Sequence, residues 1–470
     1  SGTGTIKATD SYSEYAIRGG FFRVNYNYLD KYLLEVNGRY DGSSKFPKSS
    51  RFGFFPSVSA GWQIAQERFM NSTRHWLDGL KLRASYGVIG NQNINPYTFT
   101  PSMSVNNKAT SWIIDDTYVT SISSLPALVS QNFTWEKVGT INVGLDVNLF
   151  NNRLSGVFEW YQRNTNGMLA PGVQLPAVVG ASAPYQNTAD MRTRGWELSL
   201  NWRDQIGKVG YRIGFNLSDY KSEIIKYDDN AATKLLSSYY PGQTLGEIWG
   251  YVVDGYYTVD DFVDTSSWQL KEGVTSINGY NVRPGDVKFK NLRDDDTSTN
   301  VITSGDNTFD NPGDRKVIGN TTPRYQYGIN LGMNYAGFDL NVILQGTGKR
   351  DYWISNVLTF PMNGDNFVPL FEGLSDYWMP KDPDNGDWSA VNPNAKYPRI
   401  YGNRGNSGSN LRQSDKYLSD ASYLRIKNIT LSYKLPKKWV NQIFLNQMKA
   451  FVSIENVATF TSLPSGIDPE

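Results

Sequence analysis

The sequence predicts an all-β chain folded as part of a transmembrane antiparallel β-barrel with long extracellular loops. Three observations carry that expectation. Stretches of period-two alternation recur twelve times along the 470 residues. Their apolar phase holds no charged side chain, although 19% of the chain is charged. The connections between them alternate in length, short then long. Alternation marks a strand with one apolar and one polar face. Short turns at one end and long loops at the other are the plan of a membrane barrel.

The elements follow in chain order. Phe22, Val24, Tyr26 and Tyr28 alternate with Arg23, Asn25 and Asn27, and the turn Leu29-Asp30-Lys31 leads into a second strand over 32–40. Residues 58–64 and 80–88 form the third and fourth. Strand 141–149 pairs through Asn151-Asn152-Arg153 with 154–160, and 196–202 pairs through 204–208 with 211–217. Residues 327–335 pair with 338–344 around Ala336-Gly337. In the eleventh strand, "SYLRIKNITLSYKLP" at 422–436, the phase slips at Asn428, as a β-bulge requires. The twelfth strand, 446–460, carries Ala450, Val452 and Ile454. Long connections run over 41–50, 91–137, 166–190, 222–322 and 351–421, with intermediate ones at 65–79 and 436–447. Tyr26, Tyr28, Trp160, Trp202, Tyr335 and Phe338 stand near strand ends, where interfacial girdles place aromatics. A charge facing lipid at mid-bilayer costs roughly 2–4 kcal/mol, so Arg425, Lys427 and Lys434 are expected to face a watery lumen.

Composition narrows the function. Forty-six basic residues balance 45 acidic ones, which gives no pull toward nucleic acid. With no Cys and one His, thiol chemistry, disulfides and Cys-based metal sites are excluded, and no cofactor is expected. No apolar run approaches the ~18 residues of a spanning helix, and the first residues lack a signal-peptide layout. A mean hydropathy of −0.47 does not argue against a barrel, whose lumen is wet.

The stretches "YDGSSKF" (40–46), "FFPSVSAGWQIAQERFM" (54–70), "LKLRASYGVIGNQNI" (80–94), "TWEKVGTINVGLD" (134–146) and "NTADMRTRGWELSLNW" (187–202) resemble one family throughout. So do "GYVVDGYYT" (250–258), "PGDVKFKNL" (284–292), "DRKVIGNTTPRYQYGINL" (314–331), "DLNVILQGTGKRD" (339–351), "SDASYLRIKNITLSYKLP" (419–436) and "IENVATFTSLPSGIDPE" (454–470). The chain resembles the C-terminal portion of a SusC/RagA-type TonB-dependent outer-membrane transporter. That resemblance implies a 22-stranded barrel around an internal plug, energy from TonB, and a SusD-like lipoprotein lid. It implies import of an oligosaccharide, or in some members a peptide, rather than catalysis. On that scheme 1–470 supplies strands ten to twenty-one. The plug, the TonB box, the early strands and the closing strand are then absent, and edges stand open at 20–28 and 446–460. Where the family often carries Asp-x-Asn-Gly-Asp-Gly, this chain reads Asn291-Leu292-Arg293-Asp294-Asp295-Asp296, so no metal is assigned to that loop.

Flat rings in long loops are the best ligand candidates, because they offer apolar faces to sugar C–H groups and to peptide side chains. These are Trp112, Tyr239, Tyr240, Trp249, Trp353, Trp378 and Trp388. Arg83, Glu197 and Arg212 are expected to face the lumen, toward cargo or plug. His75 lacks triad partners and reads as a turn residue. The pairs Asp115-Asp116, Asp228-Asp229 and Asp260-Asp261 are adjacent, which is no dyad spacing. "RGNSGSN" at 404–410 lacks the Gly-x-Ser-x-Gly elbow. The rival to a transporter is a soluble glycan-binding β-protein, in which the apolar faces would meet in a core.

Overall fold

A computed structural model describes residues 12–103, 105–106, 113–114, 117–118, 122–123, 128–130, 133–173, 175–230, 233–235, 239–293, 300–354, 372–401 and 408–470. Twelve long strands hydrogen-bond antiparallel in sequence order. They are β1 (Ile17–Tyr28), β2 (Tyr32–Ser43), β3 (Phe52–Gln63), β4 (Leu77–Asn91), β5 (Glu136–Leu149) and β6 (Leu154–Pro171). They continue with β7 (Tyr185–Ile206), β8 (Val209–Tyr227), β9 (Arg324–Tyr335), β10 (Phe338–Lys349), β11 (Tyr423–Lys434) and β12 (Lys449–Thr461). β1 and β12 are the end strands of that order. The chain divides into two compact units: Ser1–Arg203 with Tyr220–Ala231 and Tyr240–Gly242, and Asp204–Asp219 with Ala232–Tyr239 and Gln243–Glu470.

The turns explain the register. Ala336 and Gly337 have φ of +49° and +92°, the two left-handed positions of a type I′ turn, and Tyr335 pairs directly with Phe338. That turn matches the right-handed twist of strands and places the predicted hairpin in the predicted register. In β11 the bulge falls at Lys427: Ile426 and Asn428 are the paired neighbours toward both β10 and β12. The slip in phase seen at Asn428 is therefore real, and the extra residue is one earlier.

Strands run farther than the alternation indicated. β6 continues to Pro171 and β7 begins at Tyr185, so both ends of 166–190 belong to strands and only 172–184 lies between them. β8 likewise reaches Tyr227, and only Gly207 and Lys208 separate it from β7. Polar residues stand in both phases of these extensions, and adjacent apolar pairs such as Leu169-Ala170 and Ile224-Ile225 straddle both, so period-two contrast fades where the backbone ladder does not.

The apolar phase has no cover among the described residues. In the first unit Leu34, Val58, Leu82, Tyr86, Ile141, Val143, Phe158 and Trp160 are all exposed. In the second, Ile213, Leu331, Met333, Leu431, Val452 and Ile454 are exposed too. Large contiguous exposed apolar surface is foreign to a soluble monomer. The soluble alternative needs these faces packed in a core, and they are not.

The packed cores lie in the connections instead. In the first unit Phe46, Phe55, Phe133 and Trp135 form a buried aromatic cluster at the loop ends of β3 and β5. In the second, 228–323 holds strands of two to six residues around buried Tyr257, Phe262, Val287 and Phe289. Examples are Glu247–Tyr251 paired with Arg315–Asn320 and Val253–Tyr256 paired with Val287–Phe289. This long connection thus holds short strands and a hydrophobic centre of its own.

Candidate functional site

The polar strand face is a wall of mutually neutralised charges built by one repeated device. In the first unit Arg83 of β4 lies opposite Gly144 of β5, which lies opposite Glu159 of β6. A Cβ on Gly144 would sit 2.9 Å from Arg83 Nη2, so the glycine leaves the guanidinium room to lie across its strand. Arg83 then donates to Glu159 at 2.7 Å and to Asp146 at 2.8 Å. Glu197 faces Glu159 directly from β7, a like-charge pairing that Arg83 offsets from the other side. In the second unit Arg212 of β8 lies opposite Gly332 of β9 and reaches Asp339 of β10 at 3.2 Å. Arg83 and Glu197 thus lie on the ion-paired strand face of the first unit, and Arg212 on the ion-paired strand face of the second. A hollow of about 490 Å³ on the first unit is lined by Asn25, Asn27, Glu35, Lys81, Arg83 and Asn142, among others. Such a surface stays hydrated and offers hydrogen bonds without net charge.

Arg425 shows the same logic at greater burial. It donates to Asp468 and Glu470, each at 2.5 Å, and to Thr459 Oγ1 at 2.9 Å. Leu463 packs with Ile354, Ala421 and Ile467. The segment after β12 is therefore folded onto β10 and β11, with Gln345 also donating to Glu470 at 3.1 Å.

The loop aromatics divide by burial. Trp112 lies outside the described residues. Tyr240, Trp249 and Trp378 are buried at 1%, 8% and 3% exposure. They present no open face here, and what they do is pack loops, Trp249 edge-on to Phe309 for example. Tyr239 is exposed, while Trp353 and Trp388 are half-buried. Trp353 packs on Leu374, Tyr397 and Tyr417. Trp388 meets Trp268 at 5.1 Å and Arg399 at 4.9 Å. Sequence reasoning missed Trp268 and Arg399, which meet Trp388, and Arg283, which meets Trp268, because only tertiary contacts bring them together.

Other candidates resolve simply. His75 Nδ1 lies 3.0 Å from Ser72 O in an exposed turn. Asp261 accepts from Thr258 N at 2.7 Å and pairs with Lys288, and Asp228 begins a short 3-10 turn. Asp115, Asp116 and Asp294 to Asp296 lie outside the described residues. Beside the last group, the buried Asp314 carboxylate accepts from Leu292 N at 2.9 Å and Thr303 N at 2.7 Å, closing that loop with backbone hydrogen bonds. No cluster of three metal-ligating side chains occurs among the described residues.

Asp286 is a second buried acid of the loop body. Burial pushes its carboxyl above the usual range, against hydrogen bonds from Tyr401, Asn410 and Arg283 N that pull it down. A carboxyl raised in the fold favours the folded state fully below its unfolded value and loses that contribution as pH rises through the folded one. Proteolysis of the 243–401 region should therefore slow as pH falls from neutral toward 4. The Asp286→Asn variant is expected to lose that part of the pH dependence.

The family comparison follows from this geometry. The model described as "TonB dependent receptor-like, beta-barrel" matches residues 2–457. The chain belongs to that family. TonB-dependent receptor P3 of Formosa agariphila is 29% identical over 487 residues, spanning 100% of this chain and 43% of that protein. TonB-dependent receptor SusC of Bacteroides thetaiotaomicron is 27% identical over 96% of this chain and 41% of its own length. The chain thus spans less than half the length of these curated relatives. The solved RagAB peptide importer in its open-open state has the same fold, with a TM-score of 0.74, 24% identity and 97% of this chain covered. Barrels of this SusC/RagA type reside in the outer membrane.

Proposed function

We propose that this chain forms part of the wall and the external loops of a TonB-dependent outer-membrane importer. Its cargo is an oligosaccharide, and a SusD-like lipoprotein covers the loops. The observation that carries the reading is the single-layer sheet with an uncovered apolar face and an ion-paired polar one. Lipid suits the first face and a wet lumen the second. In lipid, an end strand such as β1 or β12 needs a partner for its amides. Further strands therefore complete the barrel, in line with the longer relatives. Oligosaccharide cargo is favoured by the half-open indoles and the uncharged hydrogen-bonding balance of the wall. Peptide cargo is the second reading, favoured by the fold shared with the RagAB peptide importer.

The test is uptake by cells producing the complete receptor, with and without TonB. Energised accumulation of oligosaccharides that stops without TonB supports the reading. Accumulation of peptides alone supports the second, and TonB-independent uptake of either contradicts both.

A further inference from the structure

Charges in the second unit are handled in two ways. Arginines on its strands are paired with carboxylates: Arg212 with Asp339, Arg324 with Asp219, Arg425 with Asp468 and Glu470. In its loops, Arg283 and Arg399 lie on rings and pair with no carboxylate among the described residues. Arg283 is 5.6 Å from the centre of Trp268, and Arg399 is 4.9 Å from Trp388 and 5.0 Å from Tyr401. The two groups are joined, because Trp268 meets Trp388 edge to face at 5.1 Å and 81°.

Neither Arg283 nor Arg399 has an ion pair among the described residues, and Arg399 Nη1 is buried without a hydrogen-bond partner. The carboxylate nearby, Asp286, is already committed to Tyr401 at 2.7 Å, Arg283 N at 2.8 Å and Asn410 at 2.9 Å. One engaged acid therefore stands against two guanidinium groups. The backbone is shaped for this arrangement. Gly285, at φ +90°, accepts from Arg399 N at 2.8 Å, and a Cβ there would stand 2.3 Å from Trp378 and 2.9 Å from Arg399 Cβ.

A ring neutralises a guanidinium less than a carboxylate does, and it leaves the in-plane N–H groups free to donate. Those donors match the two oxygens of a carboxylate or sulfate. Trp268, Trp388, Arg283 and Arg399 are all half-buried, so each keeps a side toward solvent. We propose that these four residues bind an acidic oligosaccharide, its anionic group on the guanidinium N–H groups and its ring face on an indole. This rests on the importer reading and narrows its cargo. An acid with an apolar ring face satisfies both halves of the cluster at once, whereas a neutral sugar leaves Arg399 unanswered. A uronate and a sulfate ester both supply such an anion and share this chemistry.

The test is calorimetric titration of the complete receptor in detergent at low salt. The probes are tetragalacturonate, sulfated cellotetraose, plain cellotetraose and a tetraglutamate peptide. At least one acidic sugar should bind about tenfold or more tighter than cellotetraose. Arg399→Gln should reduce that affinity by about tenfold, and Lys437→Gln, an equal loss of charge on an exposed helix, should not. Which acidic sugar responds identifies uronate or sulfate. Equal affinity for neutral and acidic sugars overturns the proposal. So does an unchanged Arg399→Gln, or Arg-dependent binding of the peptide with no sugar bound. If Arg399→Gln alters the proteolytic pattern, Arg283→Gln carries the same comparison with the same two outcomes. Uptake that fails while Arg-dependent binding persists removes only the importer reading, and the reverse removes only this site.

Discussion

Leu331→Arg is expected to block assembly of the complete receptor in lipid, while Asn330→Arg, one residue away, is tolerated. Leu331 sits midway along the apolar run 327–335, paired with Ile213 on β8 and Val342 on β10. Its side chain is exposed with apolar neighbours on both sides. An arginine there has no carboxylate to reach, and at mid-bilayer it costs roughly 2–4 kcal/mol. At 1.4 kcal/mol per decade, that cost lowers the folded fraction by roughly one and a half to three orders of magnitude. Asn330 points to the opposite face, where Arg212 and Asp339 already lie as a pair, and a charge there remains hydrated. The readout is the heat-modifiable band after folding into lipid vesicles. Equal yields for the two variants would mean that the faces are not segregated.

Trp135→Ala is expected to open the loops of the first unit without dissolving its strands. Trp135 is 5% exposed, 5.0 Å from Phe46 and 5.3 Å from Phe55, and its indole donates to Arg51 O at 2.8 Å. Removing a buried Trp costs about 3–5 kcal/mol, because the cavity closes only in part. Here the carbonyl of Arg51 also loses its donor. Since β3, β4 and β5 remain hydrogen-bonded by their own ladders, the loss falls on the connections 44–51 and 92–103. Protease cleavage there should rise by roughly a hundredfold to several-thousandfold, with the heat-modifiable band retained. An unchanged cleavage rate would show that the cluster does not hold those loops.

How far the sequence could be read depends on what carries periodicity. The turn and register of β9 against β10 were legible to the residue, because Tyr327 to Tyr335 alternate cleanly and Ala336-Gly337 names its own turn, while the strands run on to Arg324 and Lys349. The bulge in β11 announced itself as a slip beside Lys427. The far ends of β6, β7 and β8 were not legible: Asn164 to Asn166 are polar in both phases, Ile224-Ile225 are apolar in both, and Ala189 and Met191 share their phase with Thr193. The body around Tyr257 and Phe289 was invisible for another reason. Its strands are two to six residues long and pair across gaps of up to about seventy, too short for any period to register. Candidate rings chosen by type alone mixed buried Tyr240 and Trp378 with half-open Trp388. Burial is set by tertiary contact, so residue type could not separate them. The arginine that reaches over a glycine, Arg83 past Gly144 and Arg212 past Gly332, joins residues on three strands and has no local signature.

The chain contains no cysteine, so single cysteines can be placed at 327 to 335 of the complete receptor and spin-labelled in lipid nanodiscs. Accessibility to oxygen, which concentrates in lipid, is compared with accessibility to a water-soluble nickel chelate. Labels at 327, 329, 331, 333 and 335 should favour oxygen, and those at 328, 330, 332 and 334 the chelate, with a period of two. The same accessibility at every position, or the opposite phase, would contradict a lipid-facing apolar strand face.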